Sequence, residues 1–439
     1  MFPHLLSFRG CSQTYHKRRA TELPVLSDVN FSVSSGEIVG LVGRAGSGKS
    51  TLLRIASGLL KPTEGEVVWK GKPLEGPTPE IGVVFQSFAL FPWLTVEENV
   101  ALGLEAHGVK REDRAQRTHR IIELLGFSGY GNAYPKELSG AMQQRTGIAR
   151  ALVLEPDLLI MDEPFAALDH LTGENLRTDL IDLWSDGKLP VQAMMMVTHN
   201  VEEAVLMCDR LLIFSSNPGR IIHEVRVPIQ HPRNRDDPAF RAIVDQVYTL
   251  MTRRAPIVSE ADIDETASVQ PPAPLAIVLP PLSVNPMVGL MEVLAQAPLN
   301  GRADLPMLAE RLQMALDDLF PIGESLHLLG LAELEDGDIM LTEDGMRFAD
   351  AEHEQRQDIM RSAMLHSIPL IRNIRTVLDE RPAHTADAER FRKELEACMS
   401  ASYAQQTLQT AINWARYAEL FDFDEEDDQF LLAGTATGA

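Results

Sequence analysis

The period of apolar and polar positions changes along the chain. Up to about Val227, short apolar runs alternate with longer stretches whose apolar residues recur every three or four positions, the pattern of an α/β domain around a mainly parallel sheet. Residues 38–42, 158–161, 193–197 and 211–214 are short, continuous and apolar, and predict buried strands. Helical spacing predicts helices over 50–60, 96–106, 111–125, 140–153, 172–184 and 201–207. The stretch 65–74 predicts a β-hairpin with Gly65 and Gly71 at its turns.

Proline then interrupts the pattern. Pro271, Pro272, Pro274, Pro280 and Pro281 fall in a stretch with few periodic apolar positions, which predicts a semi-rigid linker over 256–286. The boundaries are therefore a first domain over 1–255, the linker, and a mainly helical domain over 287–439. In the last of these, helices are predicted over 287–294, 305–312 and 316–329, with strands at 332–334 and 339–341 around Asp336-Gly337-Asp338. Three helices and a hairpin with an acidic-glycine tip have the outline of a winged helix. A related pattern follows at 391–395, 408–414, Ala418-Glu419-Leu420 and Phe430-Leu431-Leu432. The Ala-Glu-Leu triplet shared with 332–334 suggests an internal duplication.

Composition narrows the classes. With 439 residues and 45% hydrophobic content, the chain has material for two or three folded domains. No run approaches the ~18 apolar residues that span a bilayer, and the first nine residues lack the basic and apolar regions of a secretory signal. Cys11, Cys208 and Cys398 have no metal-ligand spacing and suit a reducing cytosol. The net charge of −23 is uneven: −6 up to residue 270 and −17 beyond it, where 12 Lys plus Arg face 29 Asp plus Glu. Such a surface repels nucleic acid and anionic lipid, so protein partners are expected and nucleic acid is not. The run 422–428 reads as a solvated acidic turn.

The chemistry begins at Gly43-Arg44-Ala45-Gly46-Ser47-Gly48-Lys49-Ser50-Thr51, between a strand and a helix. Its spacing is that of a P-loop: Gly43, Gly46 and Gly48 let backbone N–H groups curl around phosphate, Lys49 reaches the outer phosphates, and Ser50 can ligate Mg²⁺. Leu158-Leu159-Ile160-Met161-Asp162-Glu163 is an apolar strand ending in two carboxylates, with Asp162 placed for the Mg²⁺ shell and Glu163 for general-base work on water. Gly82-Val83-Val84-Phe85-Gln86 ends in an amide able to accept from water and to ligate Mg²⁺. Met196-Val197-Thr198-His199 ends a strand on the same side of the sheet. Leu138-Ser139-Gly140-Ala141 places a Ser-Gly turn at a helix start, a second anion site that one P-loop does not need.

With these motifs in this order, residues from about 5 to 229 resemble the ATP-binding subunit of an ABC transporter. The resemblance implies that Tyr15 stacks on adenine, that Ala167-Leu168-Asp169 is the D-loop, and that His199 is the switch histidine. It implies a head-to-tail dimer in which each ATP lies between one P-loop and the other subunit's Ser139-Gly140, made from two copies of this chain or from a pair with a similar ATPase. Leu90-Phe91-Pro92-Trp93-Leu94-Thr95-Val96-Glu97-Glu98-Asn99-Val100, Val201-Glu202-Glu203-Ala204-Val205 and Ser216-Asn217-Pro218-Gly219-Arg220 resemble the nitrate, sulfonate, taurine and bicarbonate import ATPases. That subfamily implies a membrane permease docking near 88–94, a solute-binding protein acting through the permease, and a place on the cytoplasmic face of the cell membrane.

The tail from about Pro271 resembles the AAA-associated C-terminal domain and does not resemble the solute-binding-like extension of some nitrate importers. The rival reading is an ATP-switched soluble regulator whose winged-helix tail binds DNA; it requires a basic tail. Four positions depart from the family's pattern. Ala141 replaces the second glycine of the signature, where its methyl group is expected to crowd the γ-phosphate or strain a backbone position that favours glycine. Asn200 replaces the acidic residue common after the switch histidine, and Arg44 and Ala45 vary at outward-facing loop positions; neither disturbs a ligand.

Overall fold

The structure, a computed structural model, describes residues 4–15, 23–43, 46–215, 218–252, 277–335, 337–381, 384–396, 399, 401–425 and 427–432. Arg44, Ala45, Ser216, Asn217, Asp336, Cys398, Glu426 and residues 256–276 of the predicted linker lie outside the described residues. The chain divides into two compact units between Val247 and Tyr248, eight residues before the end predicted for the first domain. Among the described residues, no helix is long and apolar enough to cross a membrane.

The first unit contains, in order, β1 (Leu6–Tyr15), β2 (Leu23–Val33), β3 (Ile38–Gly43), α1 (Lys49–Ala56), β4 (Glu64–Trp69), β5 (Lys72–Pro73) and β6 (Ile81–Val84). There follow α2 (Val96–Ala106), α3 (Arg111–Leu124), α4 (Gly140–Leu152), β7 (Leu158–Asp162), α5 (His170–Ser185), β8 (Ala193–Thr198), α6 (Val201–Met207), β9 (Arg210–Phe214) and β10 (Ile221–Arg226). The unit boundary falls within α7 (Pro238–Thr252). A six-stranded sheet has the order β10-β9-β3-β8-β7-β6, parallel except for β10. A second, antiparallel sheet has the order β2-β1-β4-β5. Leu6, Phe8, Val29 and Val67 of the small sheet, Leu52 and Ile55 of α1, and Leu41 and Ile160 of the large one share one buried cluster. Each such aliphatic side chain contributes about 1.5–3 kcal/mol on burial.

Local chemistry sets the helix boundaries. Thr95 Oγ1 accepts from the Glu98 N–H at 3.3 Å and the Glu98 carboxylate accepts from the Thr95 N–H at 2.8 Å, a capping box that starts α2. Asp169 caps α5 through the Thr172 N–H at 3.0 Å, so the helix begins at His170, earlier than predicted. α1 stops at Ala56, short of residue 60, because Gly58 turns left-handed at φ 73°. Gly71 does occupy the β4–β5 turn, but Gly65 does not. It lies inside β4 at φ 75°, opposite an irregularity in β1, where a Cβ would come 2.3 Å from the Gly10 carbonyl oxygen.

The second unit repeats one topology. α8 (Val284–Ala295), β11 (Arg302–Asp304), α9 (Leu305–Leu312), α10 (Leu316–Leu328), β12 (Ala332–Glu335) and β13 (Asp338–Leu341) form a winged helix with sheet order β11-β13-β12. α11 (Glu343–Asp350) and α12 (His353–Ser367) lead to the second pass. There α13 (Pro369–Glu380), β14 (Thr385–Asp387), α14 (Ala388–Glu396), α15 (Ala401–Tyr417), β15 (Phe421–Asp424) and β16 (Gln429–Leu432) have sheet order β14-β16-β15. The hydrogen bonds repeat as well. Leu331 N–H reaches Leu326 O as Leu420 N–H reaches Ala415 O, and Leu341 N–H reaches Gly301 O as Leu432 N–H reaches His384 O.

This register pairs Leu331 with Leu420, so Ala332-Glu333-Leu334 corresponds to Phe421-Asp422-Phe423. Ala418-Glu419-Leu420, the triplet that suggested the duplication, instead forms the turn after α15, with Glu419 left-handed at φ 52° where the first module has Gly330. Residues 284–286, expected in the linker, belong to α8. Pro286 sits in its first turn, where the missing N–H has no helical acceptor to lose.

Candidate active site

The parallel strands are level at their carboxyl ends: Val42 pairs with Thr198, Val197 with Asp162, and Met161 with Val84. The residues that follow β3, β6, β7 and β8 therefore share one rim of the sheet, where open α/β sheets bind ligands. This levelling brings the P-loop, Gln86, Asp162, Glu163 and His199 together.

Gly43 ends β3, and a Cβ there would meet the Phe214 backbone oxygen at 2.8 Å. Gly46 is exposed at φ 77°, and Gly48 at φ 90° precedes α1, so the N–H groups of the helix's first turn point toward the loop rather than to helical acceptors, as at any helix start. A Cβ on Gly48 would lie 2.8 Å from Leu26 and 3.0 Å from the Val25 oxygen; the loop is seated on the start of β2. Tyr15 pairs with Leu23 and Gln13 with Leu26 on the adjoining strand, which puts Tyr15 at the loop end of that sheet. Lys49 is buried, donates to Gly43 O at 2.6 Å and lies 3.4 Å from the buried Ser47 hydroxyl.

The Ser50 hydroxyl donates to Asp162 Oδ1 at 3.4 Å. Burial first, and the neighbouring Glu163 charge second, push the Asp162 carboxyl up to about 6. It is a half-buried acid whose ionised form a nearby cation would stabilise. Among the described residues, no three His, Cys, Asp or Glu side chains converge as an all-protein metal cage. One carboxylate with a hydroxyl and an amide is a donor set that suits Mg²⁺, which keeps waters and substrate phosphates in its shell.

Glu163 is 5% exposed and left-handed at φ 45°, a strained conformation for a non-glycine residue. Its N–H donates to Val197 O at 2.9 Å, and Gln86 Nε2 donates to its Oε2 at 3.0 Å. His199 Nδ1 stands 3.5 Å from Oε1. The His199 ring is exposed, and its hydrogen bond to Glu163 raises its pKa. Behind it, Asn200 caps α6 by accepting from the Glu203 N–H at 2.6 Å. Glu203 is buried against Arg177 of α5 at 3.0 Å; burial raises its pKa and Arg177 opposes the rise.

Ser139 caps α4 through the Met142 N–H at 3.4 Å and is exposed. A Cβ on Gly140 would lie 3.5 Å from Leu168, so the signature turn adjoins Ala167-Leu168-Asp169, and Leu171 just beyond is 67% exposed. Ala141 lies within regular α4 and is absent from the left-handed residues, which removes the expected backbone strain.

Three contributors escaped the sequence reading. Gly219 was read only as part of a subfamily segment, yet a Cβ there would come 2.1 Å from Ser47 O; a glycine after proline was the available signal. The Arg177–Glu203 pair joins α5 to α6 across 26 residues and Arg150 reaches back 61 to Ala89, separations that carry no local pattern.

A phosphate loop, a desolvated carboxylate and a strained glutamate on one rim define a P-loop ATPase. Residues 26–166 match the family described as ABC transporter, and residues 306–424 match the C-terminal AAA-associated domain. Three relatives give the scale. The taurine import ATP-binding protein TauB of Burkholderia pseudomallei is 47% identical over 48% of this chain and 80% of its own length. The nitrate import ATP-binding protein NrtD of Synechocystis is 39% identical over 54% and 91%. The aliphatic sulfonates import ATP-binding protein SsuB of Bacillus licheniformis is 39% identical over 56% and 90%. The chain belongs to the ATP-binding subunits of ABC transporters.

Proposed function

We propose that this chain hydrolyses ATP to drive import of a small anion or organosulfur solute of the nitrate, sulfonate, taurine or bicarbonate type. What carries the reading is the rim itself, with Asp162 facing Ser50, and Glu163 facing both Gln86 and His199.

Gly46, Ser47, Gly48, Lys49 and Thr51 hold the phosphates by backbone N–H groups and one ammonium, and Tyr15 stacks on the base. Ser50, Asp162 and Gln86 would hold Mg²⁺, which would supply neutralisation of phosphate charge. Glu163 takes a proton from the attacking water, with Gln86 orienting its carboxylate. His199 donates to the terminal phosphate from the open side of Glu163. Ser139 and Gly140 serve a second copy: their exposed turn closes over that copy's phosphates, and hydrolysis reopens the pair. Phe91 and Trp93, 38% and 69% exposed with ring centroids 5.5 Å apart, offer the permease an apolar seat at the cytoplasmic membrane face. The second unit modulates dimer lifetime or permease coupling.

The DNA-binding alternative loses its surface. The tail carries −17, and α10, the helix that would enter a groove, bears Asp317, Asp318 and Glu324. Tyr248 also donates to Asp317 and packs its ring 5.1 Å from Phe320.

Mixing Lys49→Ala with Ser139→Arg tests the shared site. Each variant alone should be inactive, and an equal mixture should regain about one quarter of parental turnover, because half the dimers keep one intact site. No recovery would contradict sharing. Growth of the parent and a gene deletion on taurine, alkanesulfonate or nitrate as sole sulfur or nitrogen source then identifies the solute.

A further inference from the structure

The loop that carries Gln86 is bent against its own preference. Phe88 and Ala89 are consecutive non-glycine residues at φ 58° and 48°, a region where Cβ crowds the backbone. The Ala89 N–H closes on Ser87 O at 2.5 Å, a tight three-residue turn around Phe88. Such a shape persists only where the surroundings impose it.

α4 provides those surroundings. Arg150 Nη1 donates to Ala89 O at 2.5 Å and Nη2 to Phe88 O at 3.0 Å, one planar guanidinium holding the carbonyls of both strained residues. One turn earlier on the same face, a Cβ on Gly147 would stand 3.3 Å from Phe88 O, so the helix is in close contact with the loop there. Among the described residues no carboxylate forms an ion pair with Arg150, and burial lowers its pKa. A half-buried cation is therefore committed to two backbone oxygens. The loop's ends are fixed separately. Gln86 donates to Glu163 at 3.0 Å, and the fully buried Asn99 accepts from the Phe91 N–H at 2.8 Å and donates to Phe91, Leu94 and Thr95 oxygens. The centre depends on Arg150.

We propose that Arg150 is a positioning residue: it clamps Phe88 and Ala89 in their left-handed shape and thereby holds the Gln86 amide on Glu163. Arg150 lies on the helix whose other end is capped by Ser139. At ~1.5 Å rise per residue, α4 is a rigid rod of about 16 Å between them, so displacement of the signature turn reaches Gln86 through this clamp. The inference rests on the assignment of Gln86 and Glu163 to the reaction. Lysine cannot replace the arginine, because one ammonium does not span two carbonyls held side by side.

Full-length Arg150→Met, Arg150→Lys, Arg150→Lys/Ala89→Gly and Gln86→Ala test it by ATPase kinetics beside thermal unfolding. Arg150→Met and Arg150→Lys should lower kcat about tenfold while KM for ATP moves less than twofold. Ala89→Gly should restore several-fold of the kcat lost in Arg150→Lys, because glycine adopts the left-handed shape without a clamp. If Arg150→Met fails to fold, Arg150→Lys carries the test with charge and length retained. Parental kcat in Arg150→Lys, a KM rise equal to the kcat loss, or no recovery from Ala89→Gly would overturn the proposal. Full turnover in Gln86→Ala overturns the assignment of Gln86 and the clamp with it. Loss in Gln86→Ala with full turnover in Arg150→Lys overturns the clamp alone.

Discussion

In the first unit, Lys49, Glu163 and Glu203 are buried charged side chains, and each stands on or directly behind the sheet rim. In the second unit, among the described residues, the fully buried polar residues are the hydroxyl-bearing Thr252, Ser325, Thr407 and Thr410, with single buried polar atoms on the half-buried Glu324 and His327, while its largest buried side chains are Trp414, Tyr248, Phe348, Phe391, Phe421 and Phe430. Burying charge costs several kcal/mol per ion unless partners offset it. These three stand where they meet a ligand or hold a group that does, whereas the buried Arg233 side chain is offset by Asp209 and the Val205 and Cys208 carbonyls. The first unit gives up stability for a reactive rim; the second is built from repeated apolar packing, and its sequence carries a net charge of −19.

That contrast is broken most forcefully from the second unit. Phe430 is fully buried, with Phe391, Phe421 and Phe423 rings at 5.5, 5.4 and 5.2 Å. Phe430→Ala should cost the second unit about 3–5 kcal/mol, seen by calorimetry of the full chain, while kcat for ATP changes less than about twofold. A parallel collapse of turnover would show that the chemistry is not confined to the rim.

Asp162→Asn should produce opposite effects on activity and stability. Turnover should fall at least ~100-fold for loss of the metal-binding carboxylate. Without metal at pH 7, the variant should be more stable than the parent, by up to about 3 kcal/mol. The sign follows from the raised value of about 6 against an ordinary 3.8. The folded state holds this proton more tightly than the unfolded one, so the parent loses stability as pH rises from about 4 to about 6. The variant's advantage should therefore vanish below pH 4. Urea unfolding in chelator at both pH values checks this, and an advantage independent of pH would contradict the desolvation of Asp162.

Most of this rim was legible because its parts are local. A continuous apolar run ending in Asp162-Glu163 identifies strand and chemistry together. Features set by distant chain segments were not. Gly65 looks like a turn residue and is left-handed because Gly10 crosses it. Glu163, Phe88 and Ala89 give no local sign of positive φ, since neighbouring elements impose it. In the second unit the repeat was visible only in part, as helices followed by a hairpin; β11, α13 and β14 were not read, the register rests on backbone hydrogen bonds, and a shared Ala-Glu-Leu pointed to residues that do not correspond.

The smallest effect is expected at Ala141. Since the residue sits in regular helix, Ala141→Gly should cost up to about 1 kcal/mol in stability and raise turnover no more than a few-fold by removing a methyl group from the phosphate-facing surface. A larger gain would identify the signature turn as the main limit on closure.

Steady-state ATP hydrolysis by full-length Glu163→Gln, with nucleotide affinity measured on the same preparation, most directly tests whether the strained glutamate performs the chemistry. The account predicts a fall in kcat of about 10²–10⁴ with ATP bound as tightly as by the parent; hydrolysis at the parental rate would contradict it.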